Sequence, residues 1–131
     1  MSRPVVRAHT DGVIAALEAQ GLTVGDAVAP EDVGPPYVVV YPIAGGGLSG
    51  SLADPNEDGT LIFQVTCVGA SREQAEWLAD KAMALLDGFS ISGRSIARVS
   101  LDLQGGIQRD DASTPPVFYA SPRFRVMTTP A

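Results

Sequence analysis

One junction constrains this chain more than any other: Thr60-Leu61-Ile62-Phe63-Gln64-Val65-Thr66-Cys67-Val68-Gly69 runs directly into Ala70-Ser71-Arg72-Glu73-Gln74-Ala75-Glu76-Trp77-Leu78. Phe63, Val65 and Cys67 fall on one side of an extended backbone while Gln64 and Thr66 fall on the other, the period of two that a half-buried strand requires. Gly69 breaks that pattern. Ser71 can then cap a helix whose first turn Gln74 closes by reaching back, as in a capping box. Ala75, Leu78, Ala79, Ala82, Leu85 and Leu86 recur at helical spacing until the run stops near Gly88. One face of this strand and one stripe of this helix are therefore expected to form the middle of the core.

The rest of the chain supplies partners for that pair. Residues 4–20 predict a first helix with Pro4 in its opening turn, Gly21 just past its end, and Val6, Thr10, Val13, Ile14 and Leu17 on one face. Gly12 inside it costs about 1 kcal/mol relative to alanine, so the helix depends on packing. Residues 22–36 form a connection rich in Gly, Pro and acid, in which Leu22-Thr23-Val24 can add a short edge strand. Tyr37 to Ile43 is β-branched and aromatic, as in a strand covered on both faces, and Pro42 marks an edge or the end of its ladder. A polar, glycine-rich loop spans 44–59. Ile96 to Leu101 reads as a third strand, 102–116 as a second long loop, and Val117 to Thr128 as a last strand interrupted at Ser121-Pro122. The expected fold class is α+β, two helices packed on a mostly antiparallel four-stranded sheet in the order α-β-β-α-β-β, with two long loops.

A length of 131 residues fits one domain, 1–131, large enough to bury a core without staples. A single cysteine permits no internal disulfide and suits a reducing compartment. The amino terminus lacks a long apolar run before a small-residue cleavage site, so neither a signal peptide nor a membrane span is expected. The net charge of −6 argues against tight nucleic-acid binding, which needs clustered Lys and Arg. That charge is uneven. Residues 1–90 hold four basic and twelve acidic residues, whereas 91–131 hold five arginines against three acids. The split is either plain solvated surface or a pair of complementary patches for self-assembly.

Several stretches imitate chemistry. Asp54-Pro55-Asn56-Glu57-Asp58-Gly59 matches the opening of a calcium loop, but its twelfth position is Val65 in place of a bidentate acid. Gly45-Gly46-Gly47 and Gly50 lack the Gly-Lys-Ser/Thr end of a phosphate loop. Ser49 lacks the final glycine of a serine elbow, and no histidine follows it. Cys67 alternates with Phe63 and Val65 and belongs to the core; His9, the only histidine, is expected at the surface or at the edge of the first helix's apolar stripe. Trp77 lies off the main stripe of the second helix, either as the core's edge or as an interface anchor. No catalytic residue, cofactor or metal ion is expected, and the chain is not read as an enzyme.

Gly21-Leu22-Thr23-Val24 followed by Pro36-Tyr37-Val38-Val39-Val40, and more strongly the run from Phe63 to Ala75, resemble the tail terminator (tail completion) proteins of long-tailed non-contractile phages, the siphoviruses, and related prophages. The resemblance covers most of the chain in order and length. It implies a virion protein, assembled in the bacterial host cytoplasm, that forms a hexameric ring at the head-proximal end of the tail tube. Such a ring stops tube polymerisation, faces head completion proteins, and lets DNA pass through its lumen without specific binding. By that analogy the loops 44–59 and 102–116 are candidates for the lumen or axial faces, through Gly45, Gly46, Gly47, Asp54, Glu57 and Asp58. The three acids would form a rim that repels phosphates. Gln64, Thr66, Glu73, Glu76 and Trp77, with Arg123 and Arg125 from the basic end, are candidates for contact between subunits. The rival expectation is a small-molecule or regulatory binding domain that uses the glycine loop as a lid.

Overall fold

The computed structural model describes residues 6–46, 59–103 and 106–131. Its elements in chain order are α1 (Val6–Glu18), β1 (Val24–Asp26), β2 (Tyr37–Gly46), β3 (Gly59–Gly69), α2 (Arg72–Ala82), a 3-10 helix (Met83–Asp87), β4 (Arg94–Leu103), β5 (Gln108–Asp110), β6 (Val117–Ala120) and β7 (Arg123–Pro130). The α+β class stands, but the sheet has seven strands instead of four. It is mixed: β1 runs parallel to β2, and the other pairings are antiparallel.

β3 is the centre of the sheet. Along one side β2 pairs with it from Tyr37↔Val68 to Gly46↔Thr60, with an irregularity between Pro42 and Ala44. β1 reaches only Val38 to Val40, so Pro42 stands where β2 has no outer neighbour and its missing N–H costs nothing. Ala44, Gly45 and Gly46, expected in a loop, continue the β2 ladder opposite Ile62, Leu61 and Thr60. On the other side of β3, β7 pairs with Gly59 to Gln64 and β6 with Cys67 to Gly69. Both pairs keep one register. They form a single strand broken at Ser121-Pro122, where the Val65 N–H still donates to the Pro122 carbonyl at 2.9 Å. Outside them, β4 pairs with β7 and β5 with β6. The expected loop 102–116 thus contains the end of β4, through Leu103, and the whole of β5.

The helices cover one face of this sheet. Val38, Val40, Phe63, Val65, Cys67, Phe124 and Val126 meet Val13 and Leu17 of α1 and Leu78, Ala79, Ala82 and Leu85 after β3 in one buried cluster. Phe63 and Phe124 stand directly opposite each other, both with no exposed surface, and burying each contributes about 1.5–3 kcal/mol. Gly12 is where a Cβ would lie 2.9 Å from the Phe89 ring and 3.0 Å from Ile91, so its absence lets the 89–91 segment close onto α1.

Two details of the helices correct the sequence. His9 is not at a boundary. It lies four residues before Val13 on the inward side of α1, is fully buried, and its Nε2 is 2.9 Å from Thr128 Oγ1, which also accepts from Arg94 Nε at 3.2 Å. Leu86 is 41% exposed, because the helix tightens to 3-10 geometry at Met83 and the 3.6-residue period that put Leu86 in the stripe no longer applies. The start of α2 follows the capping pattern closely. Ser71 Oγ accepts from the Gln74 N–H at 3.1 Å, and Gln74 Oε1 accepts at 2.7 Å from the N–H of Ala70, one residue before the cap.

Candidate functional site

The single cysteine and the single histidine are both buried. Cys67 is buried in the core, and loss of solvation pushes its thiol up to about 12, so it is not a nucleophile near neutral pH. His9 is locked against Thr128. Among the described residues no three metal-binding side chains lie together, and no helix is long and apolar enough to cross a membrane. Gly47, Asp54, Glu57 and Asp58, candidates for the lumen or axial faces, lie outside the described residues.

Two broad surfaces are left outward. The first is the sheet face turned away from the helices. The pairings Gln64↔Arg123, Ile62↔Arg125 and Thr60↔Met127 put these side chains opposite the inward alternation of Leu61, Phe63, Phe124 and Val126. Gln64 Nε2 donates to Thr66 Oγ1 at 3.0 Å, Thr66 and Ser121 hydroxyls lie 3.2 Å apart, and Arg123 Nε donates to Gln64 Oε1 at 3.2 Å. Three of the residues expected at a subunit interface, Gln64, Thr66 and Arg123, therefore form one polar chain across the sheet. Arg125 lies beside it, its Nη2 2.6 Å from Asp102 Oδ1.

Arg98 joins this face by a route the sequence hides. Ile96 pairs with Thr128, on the buried side, and two residues further a regular strand would turn Arg98 inward as well. A register shift between Ile96 and Arg98 sets Arg98 opposite Met127 instead, exposed and without an ion pair among the described residues.

The second surface is the outer side of the helix layer. Ala75, Leu78, Ala79 and Ala82 of α2 face the sheet, which leaves Glu73, Glu76 and Trp77 outward. Trp77 is 48% exposed, and the Lys81 ammonium lies 5.6 Å from its ring centroid. Trp77, Asp80, Lys81 and Asp87, with Gln20 and Ala84, line a shallow hollow of about 390 Å³. Glu76 accepts from Arg72 at 3.1 Å, an exposed i,i+4 pair of little energetic weight. The seven candidates for contact between subunits are therefore divided between these two surfaces.

A groove of about 550 Å³ lies on the open sheet face, walled by Tyr37, Val68 and Tyr119 and by the loops that carry Pro35 and Pro115. It joins segments far apart in sequence, so no local pattern could announce it.

No protein-family model and no curated protein sequence matches this chain. Among solved structures, the fold is similar to that of a chain from the virion of a native gene transfer agent particle, with a TM-score of 0.71 and 17% sequence identity over 97% of this chain and 98% of the other.

Proposed function

We propose that this protein is a virion structural protein, a tail terminator that closes into a hexameric ring, ends the polymerisation of a phage tail tube and offers its far surface to head completion proteins. The observation that carries the reading is the agreement in fold, from end to end of both chains, with a chain of a virion particle. The likeness of residues 63–75 to tail terminators supports it independently. The use of Cys67 and His9 as buried packing groups fits work done by assembly. In this reading the partners are further copies of the chain, the tail tube protein and the head completion protein. DNA passes through the lumen, and Asp54, Glu57 and Asp58 keep its phosphates from sticking.

Light scattering on a size-exclusion column, followed by negative-stain imaging, tests the proposal. Rings with a central hole are expected, either from the protein alone or after addition of tail tube ends. Monomers at every concentration, with and without tube ends, would sink it. A small molecule recovered in stoichiometric amount from the groove at Tyr37 and Tyr119 would instead favour a ligand-binding domain.

A further inference from the structure

The two outward surfaces carry opposite charge. The open sheet face presents Arg98, Arg123 and Arg125 against Asp102 and Asp110, and among the described residues Arg125 is the one of the three arginines that an ion pair neutralises. Around the outer side of α2 and the following 3-10 helix, Glu73, Glu76, Asp80 and Asp87 outnumber Arg72 and Lys81. In the middle of that acidic surface stands a half-exposed indole, beside a hollow rimmed by Asp80 and Asp87. The Trp77 ring already attracts one cation, Lys81, so it is a surface suited to a guanidinium, which stacks on an aromatic face and pairs with carboxylates at once.

We infer that the open sheet face of one copy docks on the Trp77 hollow of the next, with Arg98 of the first stacking on Trp77 and pairing with Asp80 and Asp87 of the second. The occupant is a second copy of this chain, because the complement to each surface is found on the other side of the same molecule. The net charge of −6 makes copies repel unless such patches meet. A contact between unlike faces leaves one free face at each end, so it repeats, and it closes when the rotation per step divides a full turn. The inference rests on the ring reading and adds which surfaces make the ring.

Two charge-reversed variants test it. Arg98→Glu with Arg125→Glu makes the sheet face acidic, and Asp80→Arg with Asp87→Arg makes the hollow basic; all four side chains are exposed. Each variant alone then presents like charges at every contact, and the concentration needed for assembly should rise at least about tenfold. Mixed in equal amounts they should form rings again, since alternating copies restore both contacts, and a misfolded variant could not do so. Trp77→Ala, which leaves the buried residues alone, should also weaken assembly without lowering the melting temperature. Wild-type rings together with variants that assemble as readily, or a mixture that stays dispersed while both variants melt normally, would overturn the docking and leave the ring standing. A wild type that never forms rings would overturn both.

Discussion

The Cys67 thiol points into the core from β3, 3.7 Å from the Val65 carbonyl oxygen, and burial holds its proton to about 12. In the unfolded chain the same thiol titrates near 9.0. Above that pH the unfolded state gives up a proton that the folded state keeps, so unfolding becomes easier as pH rises. The contribution is whole below about pH 9 and declines by about 1.4 kcal/mol per pH unit until the folded thiol itself ionises. Urea unfolding of the wild type and of Cys67→Ala between pH 8 and 10.5 checks this. The variant's stability deficit should shrink over that range, and a constant deficit would mean that Cys67 is better solvated than its burial indicates. Its place in the core was legible from alternation with Phe63 and Val65. The burial of His9 was not: helical spacing from Val13 turns it inward, but the group that satisfies its ring there, Thr128, lies at the far end of the chain, where no local pattern can point to it.

At the scale of elements, the turn from β3 into α2 concentrates what local sequence can specify. Gly69 is glycine because a Cβ there would sit 2.6 Å from the Ala75 backbone nitrogen and 3.0 Å from Gln74 and Ser71 backbone atoms, none of which can swing aside. Gly69→Ala should cost about 1–3 kcal/mol by overpacking. Ser71→Ala removes the acceptor for the Gln74 N–H and should cost about 1 kcal/mol. Chemical denaturation measures both, and an unchanged midpoint for Gly69→Ala would show that the helix can move away from the strand. β2, β3, α2 and the kinked last strand could be read directly, since each carries its own periodicity or its own breaker. β5 could not, and β1 only in part, since the edge strand expected at Leu22-Thr23-Val24 lies instead at Val24–Asp26. Val24-Gly25-Asp26 and Gln108-Arg109-Asp110 have no alternation of their own and become strands only because β2 and β6 offer them a ladder. The same limit hid the candidate interface, for the irregularity that brings Arg98 to the open face is a property of the β4–β7 pairing and not of either strand alone.

For the whole molecule, the two charge effects on assembly act over different distances, and salt separates them. Repulsion between copies of net charge −6 is felt across the full width of the subunits. Attraction between the arginines of the sheet face and Asp80 and Asp87 operates at contact. The screening length falls from about 30 Å at 0.01 M salt to about 8 Å at 0.15 M and about 3 Å at 1 M, so the long-range repulsion is removed first. Assembly should therefore strengthen from about 0.01 M to about 0.15 M salt and weaken again toward about 1 M as the contact pairs are screened in turn. The apolar part of the contact, centred on Trp77, is not screened, so rings should persist in part at the highest salt and should be lost there in Trp77→Ala. Sedimentation velocity across a salt series reads the assembled fraction directly. A steady rise to 1 M would leave no place for the arginine and aspartate pairs and would assign the contact to apolar surface alone.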